Sequence, residues 1–148
     1  MDVEELISNI NKYSKLRIEL REVKYGLECL ITKYLMQINE LNDLHVDIAG
    51  LGYVDDPSYT NYRCFNALTL SSDQKSVEVE YEDSSNDYCF VTIPLNMLLD
   101  PAPVRNSLKC ARELHNRILA EAEASKEEKE AKRRYALYLE LKGEFENA

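Results

Sequence analysis

Residues 6–44, LISNINKYSKLRIELREVKYGLECLITKYLMQINELNDL, carry an apolar or aromatic side chain at almost every third or fourth position. With Leu6 at heptad position a, ten of the twelve a and d positions are apolar or aromatic, and only Asn9 and Gln37 are polar. A seam of this kind, kept for more than five heptads, is typical of coiled coils. The segment therefore predicts one long helix with a coiled-coil seam.

The ends of this helix and its pairing follow from the same stretch. Asp2 followed by Glu5 resembles a capping box with Asp as the cap, and we expect the helix to end near Leu44. Residues 123–134 offer no apolar stripe that would cover the whole seam. We therefore predict a homodimer, and the pattern leaves parallel and antiparallel pairing open. The predicted interface comprises Leu6, Tyr13, Leu16, Leu20, Val23, Leu27, Leu30, Tyr34 and Leu41.

The middle of the chain has the patterns of β-strands. Residues 62–71 are apolar and β-branched enough for a strand, residues 77–82 alternate strictly, and residues 88–93 are followed by a proline. Short polar turns join the three segments, which favours an antiparallel meander. Residues 46–54 are a candidate fourth strand.

The C-terminal third predicts a second long helix. Residues 95–99 read as a short apolar turn, and Asp100 followed by Pro101 is a favourable helix start. The helix is expected to continue to about residue 142. Its centre is charged and carries the i,i+4 pairs Lys126/Glu130, Glu128/Lys132 and Glu130/Arg134.

The predicted fold class is therefore α+β. A long N-terminal coiled-coil-type helix leads into a three- or four-stranded antiparallel meander, and a long C-terminal helix follows. The 148 residues favour a single domain. Within it we expect a helix over 1–44, an acidic β region over 45–99 and a helix over 100–148.

The negative charge of the chain is concentrated in its middle third. The formal net charge is −9, and residues 45–103 hold ten acids against two bases, Arg63 and Lys75. Direct binding of nucleic acid requires Lys and Arg side chains opposite the phosphates, so this region is not expected to bind nucleic acid. A protein partner with a basic surface is the predicted complement.

Three glutamates form the core of the predicted binding surface. Glu78, Glu80 and Glu82 alternate with apolar residues, so a strand places all three on one sheet face. The competing interpretations are a solvated face and a divalent cation site. The cation site is disfavoured because Ca²⁺ and Mg²⁺ need ligands that converge on one point.

A loop rich in tyrosine is the second candidate surface. Tyr53, Tyr59 and Tyr62 lie among the acids Asp55 and Asp56. Tyrosine gives large, rigid contact area at low entropic cost, which favours an interface. The alternative is that some of these rings cover the edge of the core.

Enzymatic and metal chemistry are not expected. The four cysteines are spaced too widely for the usual zinc motifs, and His45 and His115 lie in no nucleophile or metal pattern. The lone Gly50-Leu51-Gly52 lacks the third glycine of a dinucleotide site. No metal or cofactor is therefore predicted. The acidic start and the absence of a long apolar run favour a cytoplasmic protein.

Residues 75–145 resemble small accessory proteins of bacteriophages. The resemblance is carried by Ile93-Pro94-Leu95-Asn96-Met97-Leu98-Leu99-Asp100-Pro101, by the charged helix and by Tyr138-Leu-Glu-Leu-Lys-Gly-Glu-Phe145. It implies a phage-encoded binding protein in the host cytoplasm, such as an inhibitor of a host defence or nucleic-acid-binding protein.

The leading functional prediction is a non-enzymatic protein-binding module that acts through its acidic surface. Helix–sheet–helix order also resembles prefoldin-type chaperone subunits, so a chaperone or coiled-coil scaffold is the alternative. Against it, residues 123–134 lack the heptads that the second prefoldin helix needs. A small nucleotide-binding protein or enzyme is a further alternative, which would require a concave pocket with convergent polar groups.

Overall fold

The computed structural model describes residues 1–55 and 62–148, and the side chains from residue 65 onward in the second range. The chain divides into two compact units, Met1–Leu108 and Lys109–Ala148. The prediction of a single domain stays a prediction. The elements in chain order are α1 (Val3–Asp43), β1 (Tyr62–Leu70), β2 (Ser76–Asp83), β3 (Tyr88–Pro94), α2 (Leu95–Leu99) and α3 (Ala102–Glu146).

Both ends of α1 are closed by local hydrogen bonds. The Asp2 carboxylate accepts a hydrogen bond of 2.8 Å from the backbone N–H of Glu5, as the cap prediction requires. At the other end, the N–H of Val46 donates to the carbonyl of Leu41 at 3.0 Å, and His45 has a left-handed φ of 61°. This is a Schellman ending with histidine in place of the usual glycine.

The three strands form an antiparallel meander in the order β1-β2-β3. Its observed bounds agree with the predicted strands to within a residue. Residues 46–54 are not a fourth strand. They form successive turns, because the N–H of Leu51 and of Tyr53 bond to carbonyls four and five residues back, and Gly52 takes a positive φ of 72°.

The core of the first unit lies between the sheet and the C-terminal part of α1. Alternation puts Val77, Val79 and Tyr81 on the inner face of β2, and all three are buried. They share the core with Ile31, Tyr34, Leu35, Ile38 and Leu41 of α1, Val91 and Ile93 of β3, Ile48, Tyr53 and Val54 of the turn segment, Leu98 of α2, and Val104 and Leu108 of α3.

The buried stripe of α1 differs from the predicted seam. It follows heptad positions a and e, with Leu35 at b, while Leu30 at d is exposed. A straight α-helix drifts by about 20° per heptad from a strict 3.5-residue repeat, so an uncoiled α1 cannot keep its a and d positions on one line. A flat sheet also covers a wider face than a partner helix does.

The second unit consists of the helical residues 109–146 and two terminal residues. Its charged centre forms two of the predicted i,i+4 ion pairs, Lys132 with Glu128 at 2.7 Å and Arg134 with Glu130 at 3.7 Å. The start of α3, in the first unit, is capped by Asp100, whose carboxylate accepts a bond of 3.1 Å from the N–H of Ala102. Within the described residues, no helix is both long and apolar enough to traverse a bilayer.

Candidate functional site

The N-terminal part of α1 presents the predicted seam to solvent. Between Leu6 and Leu30, all seven apolar a and d side chains are 42–69% exposed. These residues, called the α1 seam below, are Leu6, Tyr13, Leu16, Leu20, Val23, Leu27 and Leu30. A continuous apolar face of this length is typical of an interaction surface, because monomers rarely expose contiguous apolar patches.

Two residues of the predicted dimer interface belong to the core instead. Tyr34 and Leu41 are almost completely buried against the sheet. The prediction for these two residues is wrong, because the heptad pattern does not reveal where along a helix the globular part begins.

The outer face of the sheet brings the acidic row beside two aromatic rings. Glu80 pairs directly with Phe90 across β2 and β3, and Glu82 pairs with Tyr88. Phe90 is 45% exposed and Tyr88 69% exposed. Directly opposed side chains in an antiparallel pair lie about 4.5–5.5 Å apart at Cβ. We call Glu78, Glu80, Glu82, Tyr88 and Phe90 the acidic–aromatic face.

The two aromatic residues were missed by sequence reasoning. The sequence predicts a strand at Tyr88 and Phe90 but not the sheet face on which they lie, since that strand has no alternating acids to mark its outer side. The signal that would have found them is strand register. Residues at alternate positions from the outward-facing Thr92, which pairs with Glu78, must share its face.

The tyrosine-rich loop is only partly described. Asp56 and Tyr59 lie outside the described residues, as does the side chain of Tyr62. Asp55 is exposed beside the end of β3, where its N–H donates to the Thr92 carbonyl at 2.8 Å. Its carboxylate accepts a bond of 3.4 Å from the Ser76 hydroxyl. Asp55 therefore lies near the Glu78 end of the acidic row.

Tyr53 is a core residue, which corrects its prediction as a partner-binding residue. It is only 4% exposed, and its hydroxyl donates to the carbonyl of Pro103 at 3.1 Å and contacts the Ser107 hydroxyl. Its own carbonyl accepts a bond of 2.7 Å from the Tyr34 hydroxyl. Burial raises the pKa of Tyr34 well above its ordinary value, and the nearby Tyr53 and Asp55 add to the rise. These bonds tie the turn segment to α1 and α3.

An open apolar pocket of about 470 Å³ lies between α1, the sheet and α2. Every described residue that lines it is leucine, isoleucine or valine. The lining includes Leu27, Leu30 and Ile31 of α1, Leu70 of β1, and Leu95 and Leu99 of α2. The last two residues of the α1 seam therefore form one wall of the pocket.

Metal ligation has no geometric support in the part of the chain that the structure describes. No group of three His, Cys, Asp or Glu side chains lies close enough there to hold an ion. These surfaces offer apolar contact along α1 and charged and aromatic contact on the sheet.

No family model, curated protein or solved structure matches the chain.

Proposed function

We propose that the protein is a non-enzymatic binding module that recognises a basic surface of a partner protein. The observation that carries the proposal is the acidic–aromatic face, in which Glu80 and Glu82 stand directly opposite Phe90 and Tyr88. The same module is proposed to pair with a second copy through the α1 seam. The proposed setting is the cytoplasm.

The chemistry of this face favours arginine in the partner. A guanidinium group donates paired hydrogen bonds to carboxylates and also stacks on aromatic rings. Cation–π contact adds about 0.5–1 kcal/mol at an exposed site. The low count of bases in residues 45–103 leaves a strong negative field around the face, which would accelerate encounter with a basic partner.

The acidic–aromatic face is tested with a charge-matched pair of triple variants. One variant replaces Glu78, Glu80 and Glu82 by Gln. The control replaces Glu121, Glu123 and Glu127 by Gln. These residues are exposed on the second unit, and both variants lose three negative charges. Binding to a fluorescent peptide of alternating Arg and Gly is followed by anisotropy and stopped flow. We expect the first variant alone to associate about tenfold more slowly at low salt.

The aromatic part of the proposal has its own comparison. Phe90→Ala should weaken binding of the Arg peptide more than binding of the matching Lys peptide, because Arg stacks on rings more readily than Lys does.

The two triple variants also give the result that would contradict the proposal. An equal slowing of association in both variants would mean that only the net charge of the protein matters. In that case the acidic row is a solvated face and the binding proposal fails.

A finer form of the proposal is an inhibitor of a host defence or nucleic-acid-binding protein, encoded by a phage. It is supported by the resemblance of residues 75–145 to phage accessory proteins. The acidic character of the sheet also supports it, because an acidic surface could occupy the basic groove in which the partner protein binds the phosphates of its nucleic acid. The test is competition. The protein should displace DNA from a basic nucleic-acid-binding protein, and the Glu78/Glu80/Glu82→Gln variant should not.

A coiled-coil scaffold is the second candidate, and the exposure of the α1 seam favours it. A scaffold acts through its helices, so substitutions on the sheet would leave its binding unchanged. The triple variants above therefore separate the two candidates. Loss of partner binding on changing the α1 seam, with no effect of the sheet variant, would favour the scaffold.

A further inference from the structure

The heptad e positions of α1 change character along the helix. They are apolar at the start, with Val3 and Ile10, basic in the middle, with Arg17 and Lys24, and apolar again at Ile31. Val3 and Ile10 are 72% and 54% exposed. The a and d pattern does not account for them, because e positions flank a coiled-coil seam and are usually charged.

The apolar pocket lies on the same flank of the helix. Its α1 wall is made by Leu27 at a, Leu30 at d and Ile31 at e. Leu99, on the opposite rim in α2, is 82% exposed. The apolar surface of the a/d seam therefore continues into the pocket on the side of the helix where the e positions lie.

Antiparallel pairing of two α1 helices brings these two features together. If Leu6 of one copy packs beside Leu30 of the other, every a position between them meets a d position. In antiparallel coiled coils, e positions face e positions. Ile31 of one copy, which lines the pocket, then lies between Val3 and Ile10 of the other.

Charge on the other flank agrees with this register. The g position Glu5 of one copy lies opposite the g position Lys33 of the other, and the two-fold axis repeats the pair. At the two-fold axis Arg17 lies opposite Arg17 of the other copy, and Glu19 lies opposite Glu19. Both side chains are exposed, so solvent and salt screen the repulsion between these like charges. Parallel pairing would place Ile10 opposite Glu5 and leave the apolar e positions without an apolar neighbour.

The contact area is sufficient for a stable dimer. Burial of seven half-exposed seam side chains on each of two helices removes roughly 1,200–1,500 Å² from water, which is within the range of specific interfaces. Filling two pockets adds to this area.

We propose that the apolar pocket is a docking site for a second copy of the chain, and that Val3, Leu6 and Ile10 of one α1 fill the pocket of the other. Each copy thus completes the site of its partner in an antiparallel dimer. The inference rests on the self-association part of the proposed function and adds its direction, its register and the role of the pocket.

Site-specific crosslinking tests whether the two α1 helices pair in antiparallel orientation. In a Cys29→Ser, Cys110→Ser background, Val3→Cys and Leu99→Cys are made as separate proteins and treated with a short bismaleimide crosslinker. We expect crosslinked dimers when the two proteins are mixed and few when either is treated alone. The background protein shows what the remaining native cysteines contribute.

Every other outcome overturns the inference. Dimers from Val3→Cys alone mean parallel helices, and dimers from Leu99→Cys alone mean that two pockets face each other. Both results leave self-association intact. A dimer by light scattering that gives no crosslink in any mixture removes the pocket from the interface, and a monomer at tens of micromolar removes self-association itself.

A second comparison measures the role of the apolar e positions. Ile10→Gln should raise the dimer dissociation constant at least about tenfold, because it places a polar group in an apolar pocket. A neutral substitution is used because Lys24 of the other copy, also at position e, lies beside Ile10 in this register. Ile7→Gln is the matched control, since Ile7 has almost the same exposure but occupies position b, away from the pocket. Equal effects of the two substitutions would contradict the proposed register.

Discussion

Tyr34 shows how one hydroxyl group connects separate parts of the core. It lies on α1, and its hydroxyl donates to the carbonyl of Tyr53, whose own hydroxyl reaches Pro103 at the start of α3. The two tyrosines therefore link helix, turn and helix through buried bonds. Such bonds are costly to break, because the remaining partner stays buried without a donor.

Tyr34→Phe should lower the free energy of unfolding by about 1–3 kcal/mol, since it leaves the buried Tyr53 carbonyl without its donor. Urea denaturation followed by circular dichroism measures the change. Tyr88→Phe is the control and should have almost no effect, because Tyr88 is exposed on the sheet. If both variants unfold at the wild-type urea concentration, the Tyr34 bond contributes no net stability.

The same residue predicts a pH dependence of stability. The pKa of Tyr34 is raised in the folded protein by burial first, and then by Tyr53 and Asp55. The protonated phenol is therefore favoured by folding. Its contribution is complete below the unfolded pKa of about 10 and is lost as the pH rises above it toward the folded pKa.

The measurement compares wild type and Tyr34→Phe at about pH 8 and about pH 11. The wild type should be the more stable protein at the lower pH, and the gap should narrow at the higher pH. A gap that is constant across this range would show that Tyr34 does not carry the alkaline dependence.

At the scale of the elements, α1 is one helix with two environments. Its C-terminal part packs on the sheet through Ile31, Leu35 and Ile38, whereas the part up to Leu30 leaves an apolar seam exposed. In proteins most of the stability of a helix comes from packing of its apolar face rather than from helix propensity. The N-terminal part of α1 should therefore gain most of its order from association.

Leu16→Lys should convert the dimer to monomer, whereas Ile18→Lys should not. The two side chains have the same exposure, 54%, but Leu16 is at position d and Ile18 at f. Neither should destabilise the globular part, since both lie outside its core. Light scattering at tens of micromolar gives the mass. A wild-type mass of 17.1 kDa, that of one chain, would exclude the dimer, and equal behaviour of the two variants would exclude the seam.

In the molecule as a whole, the acidic row and the α1 seam are different surfaces on different elements. The acids concentrate in residues 45–103, and their row on β2 faces away from the core. The exposed apolar residues of α1 lie outside that region. Association through the acidic–aromatic face should weaken with salt, whereas pairing through the α1 seam should be almost insensitive to it. Salt dependence therefore distinguishes the two modes of binding in one sample.

The helices and strands could be predicted from local patterns in the sequence. Heptad spacing, strict alternation at Val77–Glu82, and the Asp2 cap are local patterns, and each predicts an element whose bounds the structure confirms. Local patterns suffice here because side-chain periodicity and capping depend on residues only a few positions apart. The outward direction of the acidic row followed from the same alternation.

Which apolar residues are buried depends on the packing of the elements and could not be predicted from the sequence. Tyr34, Leu41 and Tyr53 joined the core, whereas the equally apolar Leu16 and Leu20 stayed exposed. The difference depends on where the sheet contacts α1 and on long-range bonds such as Tyr53 to Pro103, which no short window of sequence contains. Strand register, in the same way, placed Phe90 beside Glu80. These contacts join residues far apart in the chain, so their positions follow from packing rather than from local propensity.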